Sequence, residues 1–125
     1  SELSETELIG VCDVDSERAK NIAQEYDVEW YTDSTELLKH EEIEAVSICT
    51  WTTTHATEAT RALKQGKHLF VEKPIASTVS QAREILDLAH REDRHLAVGF
   101  IERFNPGVRR VKDAIDQNRI GSVVS

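Results

Sequence analysis

The alternation of strand and helix signals constrains this chain more than any other feature. Apolar runs at residues 8–14, 45–49, 68–71 and 95–100 have strand length and carry apolar side chains almost without interruption. Such runs suit strands buried on both faces, as in a parallel sheet, rather than half-exposed strands with strict polar alternation. Helical spacing fills the intervals. Ala19, Ile22, Ala23 and Tyr26 form one stripe, a short extended piece at 28–31 precedes a short helix through Leu37 and Leu38, and a further helix runs from about His55 to Gln65. Val79, Ala82, Leu86 and Ala89 stripe the next helix, and Val108, Val111 and Ile115 the last.

Local chemistry punctuates these elements. Asp15 can cap the first helix. Asp33 with Glu36, and Thr78 with Gln81, have capping-box spacing. Gly66 stands where a helix C-terminus needs a left-handed residue, and Asn105-Pro106 reads as a cap followed by proline at the first helical position. Strand–helix alternation with right-handed crossovers predicts an α/β fold, a doubly wound parallel sheet of the Rossmann-like type with both faces covered. With 125 residues the chain is one domain at most.

Charge and composition narrow the function classes. The formal charge is −8, from 23 acidic against 15 basic residues, which argues against nonspecific nucleic-acid binding through basic patches. No apolar run approaches the roughly 20 residues of a membrane-spanning helix, and no signal peptide is visible. Cys12 and Cys49 lie inside apolar runs, read as small buried hydrophobes. Without a disulfide framework or metal-ligand spacing, no metal site is expected and a reducing cytoplasm is the expected compartment.

In doubly wound sheets ligands bind beyond the carboxyl ends of the strands, so the residues there carry the functional reading. Asp13 could accept hydrogen bonds from ribose hydroxyls and repel a 2′-phosphate, favouring NAD over NADP, or it could only cap the following helix. Arg18, one turn on, could stack on adenine or lie in solvent. Thr50 and the helix start after it could hold a pyrophosphate or ribose, and Trp51 could lie against a nicotinamide or a sugar; the alternative is an ordinary threonine-rich turn. His55 could join them or be a solvated helix-start residue. Glu72-Lys73-Pro74 ends an apolar strand, with Pro74 restricting the backbone beside Lys73. Lys73 could act as general acid or base, or donate to a substrate oxygen; the alternative is a surface lysine paired with Glu72. Arg103, after the fourth strand, could face anionic groups.

Taken together, the segments GVCDVDSERA (10–19), AVSICTWTTTHATEA (45–59), GKHLFVEKPIA (66–76) and VGFIERFNPGVRRVKDAI (98–115) resemble the Gfo/Idh/MocA oxidoreductases, in family order and spacing. Glu-Lys-Pro after Gly-Lys-His is the most specific of these. The resemblance implies the N-terminal Rossmann domain of a two-domain, oligomeric enzyme. That enzyme would oxidise a sugar or cyclitol hydroxyl, or reduce the ketone, with NAD or NADP. Lys73 would match the catalytic lysine and also border the cofactor, with Glu72 its partner in the motif and Pro74 in a cis bond. Asp13 would match the ribose ligand, and Thr50, His55 and Arg103 cofactor-side positions. Trp51-Thr52 in place of the frequent Pro-Asn looks like the inositol-dehydrogenase type. Glu102-Arg103-Phe104-Asn105-Pro106 is similar to members acting on nucleotide-linked amino sugars.

Two family elements are missing from these 125 residues. No strand with a G-x-G-x-x-G loop precedes Leu8, and Gly10 is the one glycine in the first forty residues. The substrate domain is also missing. A partial Rossmann domain is therefore expected over 1–121, with 122–125 opening a substrate domain and 1–5 the tail of a first helix. The absent strand is the central one, so the strands at 8–14 and 45–49 should lack the partner between them. They could pair directly, accept a strand from another chain, or flank residues outside this sequence. The enzyme reading competes with a non-catalytic dinucleotide sensor, or an interaction module that dimerises through the incomplete sheet.

Overall fold

The computed structural model describes residues 5–122. Its elements run β1 (Gly10–Cys12), α1 (Ser16–Tyr26), β2 (Glu29–Tyr31), α2 (Ser34–Leu37), β3 (Ala45–Ile48), α3 (Thr52–Lys64), β4 (His68–Val71), α4 (Val79–Arg91), β5 (Leu96–Val98), a 3-10 turn (Ile101–Phe104) and α5 (Pro106–Asp116). Glu5 sits in a turn; residues 1–4, and the run Val123-Val124 expected to open a further domain, lie outside the described residues.

Helix starts follow the side-chain chemistry closely. Asp15 accepts from Glu17 N and Arg18 N, Thr78 from Gln81 N, and Asn105 from Gly107 N with Pro106 opening α5. The two predicted capping boxes are only half built. Asp33 accepts from Thr35 N, but the Glu36 carboxylate pairs with Lys39 at 2.7 Å rather than reaching back. Gln81 Oε1 is buried and has no partner among the described residues. Helix α3 begins three residues before the predicted start, because the Thr54 hydroxyl bonds Trp51 O, which can only accept, and shares a second bond with the Thr50 hydroxyl, both at 2.8 Å, and steadies a first turn without apolar periodicity. Gly66 ends the turn after α3 at φ +71°, where a side chain would be strained.

All strand pairs are parallel, as the continuous apolar runs predict, but the sheet is in two pieces, β1-β2 and β3-β4-β5. Direct pairing of β1 with β3 does not occur. The pieces are joined through helices instead. Ser34 donates to Glu58 in α3 at 2.5 Å, Arg61 holds Glu58 at 2.8 Å, and the buried Lys67 ammonium donates to His40 O at 2.8 Å. The chain thus descends from Ser34 to His40 alongside α3 on its way to Lys67, so the tips of β1 and β2 point to the same end as those of β3 and β4.

The core sits on one side of β3-β4-β5. Ile48, Leu69 and Val71 pack with Ala59, Ala62 and Leu63 of α3 and Ile85, Leu88 and Ala89 of α4. Alternate residues of a strand point to opposite faces. On the other face Ser47, Phe70 and Ala97 lie side by side in register and are exposed, so the expected cover on both faces is absent over these strands among the described residues. Three predicted helical stripes are corrected: in α1 only Ala19 and Ala23 are buried while Ile22 and Tyr26 are exposed, and the other two differ for related reasons. In α4 the buried line is Ile85, Leu88 and Ala89, while Val79 and Leu86 are exposed, because α4 meets α3 and the sheet on a face turned one position from the predicted stripe. In α5 the predicted helix forms but Val108 and Val111 are exposed, since its main neighbour is the 3-10 turn. Both cysteines are free; Cys12 is half-buried, and Cys49 is exposed because it follows β3 on the bare side.

Candidate functional site

The parallel ladder continues past the strand ends and sets their tips level. Glu72 N donates to Ile48 O at 2.9 Å, and Gly99 N to Val71 O at 2.8 Å. Thr50, Glu72-Lys73 and Gly99 therefore lie at adjacent tips of β3, β4 and β5. At the tip of β1, Asp13 N donates to Tyr31 O at 3.1 Å, which holds Asp13 at the same relative height beside β2.

Asp13 and Arg18 form one unit. Arg18 Nη1 donates to both Asp13 oxygens, at 3.2 and 2.9 Å, and Asp15 N donates to Asp13 Oδ1 at 2.9 Å. The Asp15 backbone N–H first, and the Arg18 guanidinium next, hold the Asp13 carboxyl below the usual carboxylate range against a partial burial that acts the other way. The site thus presents a fixed anionic acceptor whose spare lone pairs suit ribose hydroxyls. Capping belongs to the neighbouring Asp15, so Asp13 is not the N-cap residue.

At the β3 tip Trp51 is 84% exposed and caps α3 without a side-chain hydrogen bond. It is an open aromatic platform beside uncapped helix-start amides, a setting that suits an anionic or ribosyl group. His55 is not a solvated helix-start residue. It is buried, with Nδ1 at 2.8 Å from Pro74 O and Nε2 at 3.0 Å from Thr50 O. That places its ring between the β3 and β4 tips and away from the open surface.

At the β4 tip the Lys73–Pro74 bond is cis. The Glu72 carboxylate does not pair with the Lys73 ammonium; Oε2 accepts from Lys73 N at 3.1 Å. Lys73 is exposed and has no ion-pair partner among the described residues, so its amine is available to a ligand. Gly99 was not singled out in the sequence, yet a Cβ there would stand 3.1 Å from the Glu72 carboxyl carbon and both its oxygens. Its absence lets the carboxylate lie flat against the β5 tip. A glycine at the end of an apolar strand was the available signal. Arg103 lies in the exposed 3-10 turn; its carbonyl accepts from Arg109 Nε at 3.4 Å, and its guanidinium joins none of the other site residues.

Among the described residues no His, Cys, Asp or Glu cluster could hold a metal ion, and no helix is long and apolar enough to cross a membrane.

Comparison with known proteins places this geometry in context. Residues 1–100 match the Gfo/Idh/MocA profile, described as an oxidoreductase family with an NAD-binding Rossmann fold. An inositol 2-dehydrogenase from Pseudomonas savastanoi pv. phaseolicola is 34% identical over 119 residues, covering 93% of this chain and 35% of that protein. Scyllo-inositol dehydrogenase from Lactobacillus casei, solved with NAD(H) and scyllo-inositol, superposes with a TM-score of 0.87 at 26% identity, over 98% of this chain and 36% of that one. A 3-ketoreductase from Actinomadura kijaniata, solved as a Y186F mutant with TDP-benzene and NADP, gives a TM-score of 0.89 at 27% identity, over 98% of this chain and 38% of that one. The chain spans about a third of the length of the curated relatives it matches.

Proposed function

Since this chain belongs to the Gfo/Idh/MocA oxidoreductases, with the NAD-binding Rossmann fold of that family, we propose that it forms the cofactor side of an NAD(P)-dependent dehydrogenase. The substrate class is a sugar, nucleotide sugar or cyclitol, and inositol-like cyclitols fit best, given the relatives named above and the Trp51-Thr52 variant. When bound, the nicotinamide supplies the hydride acceptor. Asp13 takes the adenosine ribose hydroxyls and, held ionised, disfavours a 2′-phosphate, so NAD is preferred to NADP. Arg18 fixes Asp13 and borders the adenine side. Thr50, Trp51 and the first amides of α3 line the ribose and nicotinamide side, and Arg103, exposed in the 3-10 turn after β5, faces the anionic groups.

Lys73 carries the proton. With a nicotinamide bound to take the hydride, Lys73 in its neutral amine form would accept the hydroxyl proton, directly or through a relay, and release it to solvent. Glu72 acts through the backbone, by holding Lys73 N. The domain division follows the same reading: 1–121 is the cofactor part and 122–125 leads toward a substrate domain, with the whole enzyme a homo-oligomer. Two free thiols suit a reducing compartment such as the cytoplasm.

The observation that carries the proposal is the level row of parallel strand tips bearing Thr50, Glu72 and an unpaired Lys73. Lys73→Ala in the enzyme containing this chain should lower inositol oxidation by about 100-fold or more, the scale of general acid–base catalysis, and leave NAD affinity within about twofold. Equal loss of turnover and affinity would remove the catalytic role. The outer edges of β1 and β3, unpaired among the described residues, favour a second reading, an interaction module that dimerises through the open sheet. A clean monomer by sedimentation at high concentration would count against it.

A further inference from the structure

His55 is 1% exposed, and each of its ring nitrogens faces a carbonyl oxygen, Pro74 O at 2.8 Å from Nδ1 and Thr50 O at 3.0 Å from Nε2. A carbonyl only accepts, and a neutral imidazole owns a single N–H. A neutral ring bonds one of these carbonyls and turns a nitrogen lone pair toward the other, whereas a ring protonated on both nitrogens would donate to both. The two carbonyls belong to the two loops that carry the proposed site. Thr50 is the tip of β3, and Pro74 follows Lys73 directly.

We propose that His55 is a positioning residue for Lys73. Its single proton sits on Nδ1, the nitrogen with the shorter contact, and holds the Pro74 carbonyl. The Thr50 carbonyl competes for that proton through Nε2, so the ring holds either the Lys73 loop or the Thr50 loop, not both. Its link to Lys73 chemistry rests on the function proposed above; the proton placement does not. His55 thereby changes from a cofactor-side candidate to the buried tie behind the cofactor side.

The test uses the 125-residue chain with 15N-labelled histidine, and long-range proton–nitrogen NMR reads which ring nitrogen is protonated. His55 should show a protonated Nδ1 and a bare Nε2. His68 is an internal standard, because its Nδ1 accepts from His95 N at 2.9 Å and must be bare. His55→Asn keeps an amide donor near the place of Nδ1, and His55→Gln keeps one near Nε2. The Pro74 carbonyl 13C and Ile75 amide 15N signals should stay near their original positions in His55→Asn and move in His55→Gln. A bare Nδ1, two protonated nitrogens, or equal shifts in the two variants would overturn the inference. If a variant fails to fold, the ring measurement on the unsubstituted chain still decides it. Failure of NAD to bind would remove the link to Lys73 while leaving the ring result readable.

Discussion

Helices α4 and α5 have comparable amphipathic sequences and opposite fates. Ile85, Leu88 and Ala89 of α4 are buried against α3 and the sheet, while α5 buries no residue and leaves Val108 and Val111 in the open. The two faces of β3-β4-β5 repeat the contrast. Leu69 and Val71 are closed over by helices, and Ser47, Phe70 and Ala97 are bare. An apolar stripe specifies a helix and the face that seeks burial, but burial itself belongs to the pair of elements that meet. The covered side is where stability resides, and the bare side is where a further partner would be felt.

Paired truncations give the largest expected contrast. Ile85→Ala should destabilise by about 2–5 kcal/mol through cavity formation, whereas Val111→Ala should stay within about 0.5 kcal/mol; denaturant midpoints measure both. Comparable losses would show that α5 is packed in solution and would break the contrast. At the junction of the tips, Gly99→Ala should push the Glu72 carboxylate aside at little cost in stability, since only the end of a flexible side chain has to give, read as a shift of the Lys73 amide signal. An unmoved Lys73 amide would mean that Glu72 does not depend on the missing side chain.

The caps of α4 and α5 carry the same contrast. Thr78→Ala and Asn105→Ala each remove a side-chain cap worth about 1 kcal/mol. The first should lower global stability by that amount. The second should raise amide exchange within α5 alone, because local opening there leaves the core intact. The smallest effect lies at Asp13. Its carboxyl is held low in the fold, so its stabilising contribution is complete above the unfolded carboxylate range near pH ~4 and is lost as pH falls through the lowered folded value. Arg18→Gln should bring the carboxyl only part of the way back up, since the Asp15 N–H, the largest single cause, remains. A carboxyl-carbon NMR titration reads this, and full reversion would reassign the cause to Arg18.

The legible parts of the fold were those decided locally. Caps at Asp15, Thr78 and Asn105, the proline opening α5 and the parallel character of the strands all follow from neighbouring residues. The sequence also showed that β1 and β3 would lack the strand expected between them, but left open whether they would pair directly, which they do not. What could not be read depends on distant contacts. The α3 start is marked by a hydroxyl rather than by periodicity, and the exposure of Cys49 depends on which sheet face acquires helices. His55 looks like any polar helix-start residue until the Pro74 carbonyl arrives from nineteen positions away. At the candidate site, Asp13, Thr50 and Lys73 were nameable from strand ends alone, but the backbone bond that diverts Glu72 from the Lys73 ammonium was not.

One dinucleotide should meet the tips of β1, β3 and β4 together. Titrating NAD into 15N-labelled chain and following backbone amides tests this most directly. Saturable shifts should cluster at Asp13–Arg18, Thr50–Trp51 and Glu72–Lys73, with His68 and His95 at the opposite strand ends and His90 in the last turn of α4 unmoved. Shifts centred on those histidines, or saturation at one tip with silence at the others, would contradict it.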